Sequence, residues 1–313
     1  MHGSFPSLPG ATSRQRTLLK PIGCTGVGLH SGARVEMELS PAPEDSGIVF
    51  YRRDAGVEIP ARFACVSDTR LATQLAAPLA PEIRVGTVEH ILAALAALGV
   101  DNAAITLDGP EVPILDGSAA PFVFLLDCAG IAEQDAPRRE LTILRPVSVT
   151  DGAAFVELLP HAGPSLAQGM AMEVSIDFSA PAIGRQALSL DLTEASFRRE
   201  IAAARTFTTA DAIAGLREAG LARGGSLENA VVVEKARVLN PAGLRMPDEF
   251  VRHKLLDAVG DLSLAGLAIR GRFRAHRSGH TLNRRLLEVL FATPDAYRIG
   301  TALPALEPVL AAA

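Results

Sequence analysis

Residues 87–107 read TVEHILAALAALGVDNAAITL, a stretch in which a helical pattern gives way to a strand. From Val88 to Leu98 apolar side chains cover every side of a helix, which marks it as a buried one. Thr87 is a residue type that caps helix N-termini, and Gly99 stands where glycine commonly ends them. Beyond Gly99, Asn102 to Leu107 reads as a strand. A charged dipeptide, Glu89-His90, opens this otherwise apolar helix, where water cannot cheaply solvate a charge. Both groups therefore need partners.

Working outward, Pro21 to Gly32 reads as two strands around Gly-rich turns, and Ala33 to Leu39 alternates apolar and polar as a half-buried strand does. Short strands follow at Ile48–Tyr51 and Val57–Phe63. A Gly/Pro loop, Asp108 to Gly117, leads to a second helix that Ser118 caps and that runs to about Cys128. Residues 130–140 (GIAEQDAPRRE) are polar, contain a proline and are the candidate linker. The second half opens with strands at Leu141–Val149, Ala154–Leu159 and Met172–Phe178. Helices are expected at Glu194–Ala204 and Thr209–Ala219, a strand at Ala230–Glu234 and a turn at Asn240–Gly243. A long helix is expected from about Asp248 to Arg270, and a last one from Thr281 to Leu290. Strands followed by helices in each half predict an α+β fold of two similar domains, residues 14–130 and 140–300, each a sheet layer with helices on one face. No sequence repeat proves their kinship.

The 313 residues, 48% hydrophobic and 21% charged, suffice for two domains of about 150 residues each, which argues against disorder. With 30 Lys+Arg against 35 Asp+Glu, a net charge of -5, the chain lacks the electrostatic footprint of a nucleic-acid binder. Mean hydropathy is high at +0.24, yet the longest apolar stretch, Ile91 to Val100, falls well short of the roughly 20 residues of a membrane span. Residues 1–13 read as a frayed leader without the apolar region of a secretory signal. Cys24, Cys65 and Cys128 are too far apart for a disulfide framework or a Cys-x-x-Cys metal site and read as reduced, mostly buried small hydrophobes. The expected compartment is the cytoplasm.

The long helix carries Arg252-His-Lys-Leu-Leu-Asp257-Ala-Val-Gly-Asp261. His253, Asp257 and Asp261 follow one another at intervals of four and stack along one face. A His-x-x-x-Asp pair can present an imidazole nitrogen and a carboxylate oxygen to one point, as zinc requires. From spacing alone, an exposed His/Asp pair is the commoner reading. Glu89-His90 adds a third ligand and a base, which together match a catalytic zinc site with one open position. The helix N-terminus favours an ionised Glu89 and a neutral His90. His280, in the turn Ser278-Gly-His280, reads by itself as a solvated loop histidine; beside a spare carboxylate such as Asp261 it becomes a candidate general acid. Arg205-Thr206-Phe207 is ordinary helix-end sequence taken alone. No His-Glu-x-x-His motif of a metalloprotease is present.

Several pieces, in this order and spacing, are together highly specific: Thr25-Gly-Val-Gly-Leu-His30-Ser-Gly, Thr87-Val-Glu-His90, Asp116-Gly-Ser-Ala-Ala-Pro-Phe122, Arg205-Thr-Phe207, Val251 to Asp261 and Ser278-Gly-His280. From about Arg16 to Ala292 the chain resembles the UDP-3-O-acyl-N-acetylglucosamine deacetylases, zinc amidases of lipid A synthesis in Gram-negative bacteria. The resemblance implies two α+β domains whose helical layers pack together, with one insertion in each. It implies that Zn2+ is held by His90, His253 and Asp257, that Glu89 is the general base, and that His280, steadied by Asp261, is the protonated group that serves the leaving amine. Lys254 and Thr206 are then placed to polarise the acetyl carbonyl, Phe207 to wall the sugar and Phe178 to stack on the uracil.

The second insertion, about 207–235, corresponds to a passage for the fatty-acyl chain, with Ile213, Leu216, Leu221, Val231, Val232 and Val233 available to line it or to pack the insertion's own core. Thr208-Thr209 stands where many members have Gly-Phe. His30 is given no chemical step; a turn histidine with a main-chain hydrogen bond is the expectation. The implied partner is a UDP-linked acylated amino sugar, and the implied state is a monomer. The apolar tail Pro304 to Ala313 reads as a flexible end, with recognition by a protease as the sharper alternative. Ferrous ion also suits two histidines and a carboxylate. Competing readings are a zinc amidase for another N-acyl substrate and a noncatalytic zinc or nucleotide-binding module, which has no use for a base at Glu89 or an acid at His280.

Overall fold

The computed structural model describes residues 13–161 and 169–302. The tail at 304–313 and all but the end of the leader lie outside the described residues. Among the described residues the fold is mixed α and β, with six α-helices and several sheets. The first sheet has five strands in the order Ile22–Val27, Arg34–Pro41, Ala103–Leu107, Ile48–Arg52, Val57–Pro60. Its one parallel pairing joins Ile48–Arg52 to Ala103–Leu107. In Arg34–Pro41, Val35, Met37 and Leu39 are buried between exposed neighbours, so alternate side chains face the core.

Helix α1 spans Glu89–Ala97 and helix α2 Ala120–Ala129. Every residue of α1 from Glu89 to Leu95 is buried, as expected of a helix apolar on all sides. Gly99, at φ +69°, takes the left-handed conformation that ends it. Neither expected side-chain cap occurs at its position. Thr87 precedes the N-cap Val88, itself sits at φ +56°, and donates its hydroxyl to Glu111. Ser118 accepts from the Ala120 amide, but Ala119 is the N-cap and the helix begins at Ala120. The expected linker at 130–140 is also corrected. Its residues form a strand, Ile131–Pro137, paired with Arg14–Leu18, and the start of the next, Arg139–Ile143. Alternation in this polar stretch is weak, and pairing with a distant segment cannot be read locally.

A seven-stranded sheet organises the second half around Ala268–His276. That strand pairs antiparallel with Ala154–Leu159 and in parallel with both Arg139–Ile143 and Met170–Asp177. Helix α3, Glu194–Ser196, is capped by Thr193 and continues as a π-helical turn, Phe197–Ile201, so the expected helix to Ala204 is shorter and irregular. Helix α4, Ala210–Glu218, matches the expectation. Helix α5, Glu249–Ser263, stops well before the expected Arg270. Gly266, at φ +75°, turns the chain, and Ile269, Phe273 and Ala275 then alternate inward with the period of a strand. Helix α6 covers His280–Phe291. Two separate three-stranded sheets complete the molecule, one from Val66–Asp68, Gln74–Ala77 and Ala80–Val85, the other from Phe207–Thr209, Val231–Glu234 and Arg237–Val238. Cys24 and Cys65 are half-buried and Cys128 is exposed, so the expectation of mostly buried thiols fails at Cys128; all three are free.

Helices α1 and α5 pack against each other, and the crossing passes through Gly260. A Cβ there would lie 2.0 Å from the Glu89 carbonyl oxygen. Alanine ordinarily stabilises a helix interior over glycine by roughly 1 kcal/mol. At this position the clash reverses the sign, and Gly260→Ala is expected to lower the Tm. A Tm equal to or above that of the wild type would show that the two helices can separate without cost.

Candidate metal centre and acid-base site

The α1/α5 crossing brings together side chains that are 163 to 172 residues apart in sequence. Glu89 and His90 come from the first turn of α1, His253, Asp257 and Asp261 from one face of α5, and His280 from the first turn of α6. All six are buried. The commoner reading of the His/Asp pair, as an exposed one, is thereby overturned, and so is the reading of His280 as a solvated loop residue.

His90, His253 and Asp257 each offer one ligand atom, and these atoms lie within 4.8 Å of one another. His253 Nε2 is 3.3 Å and His90 Nε2 3.7 Å from Asp257 Oδ1. The two rings meet edge to face, with centroids 5.0 Å apart. His253 Nδ1 bonds the Ala204 carbonyl at 3.0 Å, which puts its proton there and turns the Nε2 lone pair toward the cluster. Lys254 Nζ donates to Asp257 Oδ2 at 2.7 Å. Asp257 Oδ1 is left buried without a hydrogen-bond partner among the described residues. A buried carboxylate oxygen in that position calls for a cation. Two imidazoles and a carboxylate, with the second nitrogen of His253 and the second oxygen of Asp257 already bonded, fit a divalent metal with an open position.

The charge states agree with that fit. Burial pushes the His253 pKa down to about 4, against the pull of Asp257, so the ring is neutral and free to coordinate. Burial opposes the Asp257 charge too, but His253 and Lys254 outweigh it and hold the carboxyl well below its ordinary range. Burial likewise works against the Lys254 charge, and Asp257 more than compensates, raising its pKa.

On the other side of the cluster stand Glu89 and His280. Burial raises the Glu89 pKa, partly offset by His280 and His90. For His280, burial opposes the charged form, but Asp261 and Glu89 prevail and push its pKa up to about 9. His280 Nδ1 contacts Asp261 Oδ2 at 2.8 Å, while its Nε2 faces Glu89 Oε1 at 3.8 Å. At neutral pH one proton therefore resides on His280, beside a Glu89 whose proton affinity is enhanced.

A cleft of about 190 Å³ opens onto these groups, and Lys254, Thr206, Phe207 and Phe178 line it with them. Every expected site residue except Asp261 is at this cleft; Asp261 stands behind His280. Phe178 and Phe207 meet edge to face at 5.5 Å, and Phe207 also abuts Phe250 and His253. A larger cleft of about 790 Å³ runs past the far ends of α1 and α5, between Leu92, Leu95, Val259 and Leu262, and contains none of the site residues. Of the six apolar residues named for the passage, Val231 and Val233 pack into the main core and Val232 is buried, whereas Ile213, Leu216 and Leu221 are half-buried.

Sequence reasoning missed several supporting groups. Glu111 receives the main-chain N–H groups of His30 and Ser31 and the Thr87 hydroxyl, and so ties the glycine-rich turn to the start of α1. The main-chain hydrogen bond expected of His30 is thus present, while its ring nitrogens are without partners among the described residues. Glu249, one turn before His253, accepts from the backbone and guanidinium of Arg205 in a fully buried pair that positions the Ala204–Thr206 segment. Thr73 and Asn283 both bond Asp261. An acid in a Gly/Pro loop or a lone threonine carries no local signal; the Arg205 motif was visible, but its buried partner was not.

The sequence pattern of the UDP-3-O-acyl N-acetylglycosamine deacetylase family matches residues 15–292. Curated relatives carry the name UDP-3-O-acyl-N-acetylglucosamine deacetylase. One from Anaeromyxobacter sp. (strain Fw109-5) is 48% identical over 285 residues, 91% of this chain and 91% of that protein. One from Myxococcus xanthus (strain DK1622) is 50% identical over 91% of this chain and 88% of its own length. A third, from Acidithiobacillus ferrooxidans (strain ATCC 53993 / BNL-5-31), is 49% identical over 91% and 92% respectively.

Proposed function

Because the chain belongs to the UDP-3-O-acyl N-acetylglycosamine deacetylase family, we propose that it hydrolyses the N-acetyl group of UDP-3-O-acyl-N-acetylglucosamine in a zinc-dependent reaction of lipid A biosynthesis. The products are acetate and the UDP-3-O-acyl-glucosamine amine. The observation that carries this reading is the orphaned Asp257 Oδ1, facing two imidazole nitrogens on one side of a cleft whose other side holds Glu89 and His280.

His90, His253 and Asp257 would hold the metal, which when bound supplies Lewis-acid activation of water and of the scissile carbonyl. Glu89, with its raised proton affinity, takes the proton of the attacking water. Lys254 and Thr206 donate toward the oxygen on which negative charge develops. His280 keeps a proton on Nε2 and delivers it to the amine nitrogen, which cannot leave unprotonated; Asp261 holds the ring from behind. Phe207 and Phe178 wall the sugar and the uracil, and Ile213, Leu216 and Leu221 face the acyl chain.

In this reading residues 14–130 and 140–300 are two related domains with the site between their helical layers, and the two small sheets are their insertions. A monomer in the cytoplasm with zinc in the site completes it, with recognition of the C-terminal tail by a protease as an alternative reading of that end. No helix among the described residues is long and apolar enough to cross a membrane.

Acetate release from UDP-3-O-acyl-N-acetylglucosamine, measured before and after chelation, tests the proposal. Release should fall to background with chelator and return on adding Zn2+. Absent or chelator-insensitive release would overturn it, and cleavage of simpler N-acyl sugars at equal rate would point to a different amidase.

A further inference from the structure

Thr73 lies in the loop between Val66–Asp68 and Gln74–Ala77, and it is buried. It contributes nothing to the metal set and does not line the cleft. Yet its two donors go to two different functional carboxylates. The Thr73 amide N–H donates to Glu89 Oε2 at 3.0 Å, and the Thr73 hydroxyl donates to Asp261 Oδ1 at 2.5 Å. Its carbonyl accepts the amide of Val88, one residue before Glu89, so the loop is also tied to the start of α1.

These contacts divide the oxygens of both acids. Glu89 Oε2 is occupied by the amide, which leaves Oε1 as the oxygen turned toward His280 Nε2. Asp261 Oδ1 is occupied by the Thr73 hydroxyl, while Oδ2 receives His280 Nδ1 and Asn283 Nδ2, each at 2.8 Å. Three donors converge on Asp261. Asp261 is the first of the charges that keep His280 protonated against its burial. A carboxylate oxygen only accepts, so the Thr73 hydroxyl must donate here and fixes the plane of the Asp261 carboxylate against His280.

We propose that Thr73 is a positioning residue for the deacetylation: through one amide and one hydroxyl it sets the separation and orientation of the base Glu89 and of the Asp261–His280 acid pair. The inference rests on the deacetylase reading above and adds to it a residue outside the reacting groups. The charged groups that bear on His280 are Asp261 and Asp257 from α5 and Glu89 from α1. Thr69, whose hydroxyl meets that of Thr281 beside His280, brings no charge. The neutral hydroxyl of Thr73 therefore acts on His280 only through Asp261.

Thr73→Val removes the hydroxyl and keeps the shape and the amide; Thr73→Ser keeps both donors. For Thr73→Val, kcat is expected to fall about tenfold, the size of one hydrogen bond to a charged group, with KM and metal content unchanged. With the Asp261 carboxylate no longer held against His280 Nδ1, the alkaline limb of its pH profile should move down, and Thr73→Ser should return both kcat and the limb to wild-type values. An unmoved limb, or a serine variant as impaired as the valine one, would reduce Thr73 to a structural role and overturn the proposal. Should Thr73→Val fail to fold, Thr73→Ala replaces it in the same comparison. The wild-type control separates the two readings: no acetate release from wild type defeats the deacetylase assignment, whereas an active wild type with indifferent Thr73 variants defeats only this one.

Discussion

Glu89→Ala is expected to lower kcat by about 10²–10⁴-fold, the range associated with loss of a general base, while metal content per chain stays at the wild-type level. The carboxylate is outside the His90, His253, Asp257 set, so its removal leaves the ligand atoms in place. The contact of α1 with Gly260 is made by the Glu89 backbone rather than its side chain, so truncation also leaves the helix crossing intact. What disappears is an oxygen whose affinity for a proton has been raised by burial. Glu89→Gln, which keeps the shape, should be nearly as impaired. Steady-state acetate release and metal analysis on the same preparations decide the matter: activity that falls only in proportion to lost metal would make Glu89 a support of the metal site rather than the base.

His280→Ala should cost turnover on a similar scale, again with metal retained, and it should change the shape of the pH profile as well. The wild-type acid is active when protonated, and its pKa is held up at about 9, so activity persists through neutral pH and is lost as pH rises through about 9. On the acid side activity is lost as Glu89 takes up a proton. The expected bell loses its alkaline limb in His280→Ala. A limb that persists at the same pH in the variant would assign it to another group and remove His280 from the acid role. The same elevation bears on stability with a definite sign: protonated His280 stabilises the fold fully below its ordinary value of 6.5, and that contribution is lost as pH rises through about 9.

The clustering of His90, His253 and Asp257 was partly legible because ionisable residue types stand at telling positions, while the roles proposed for them and for Glu89 and His280 follow from the resemblance. His253 and Asp257 stand one turn apart, and a charged dipeptide opens a helix too apolar to leave it unexplained. Helix α1 and its glycine stop followed from composition alone. The C-terminal half of the expected long helix did not, because helical propensity over Ser263–Arg270 competes with a left-handed turn at Gly266 and a sheet register that only distant strands supply. The polar 130–140 segment became strand for the same reason: its partner, Arg14–Leu18, is over a hundred residues away. Groups that act through a single hydrogen bond, such as Thr73 and Glu111, have no periodicity and no composition to betray them. They become visible only when the loops that hold them are folded onto α1.

The glycine at the α1/α5 crossing has a thermodynamic corollary. In the proposed reading α1 would contribute one ligand and α5 two, so the ion would be bound by both halves of the chain at once, and its affinity would contain the free energy of bringing the helices into contact. Linkage then runs in both directions: whatever loosens the crossing raises the metal dissociation constant, and bound metal stabilises the folded state. At a free metal concentration 100 times that constant the gain is about 2.7 kcal/mol, a sizeable part of the few kcal/mol by which folded chains persist. The stability of the folded chain would thereby be coupled to the supply of its metal.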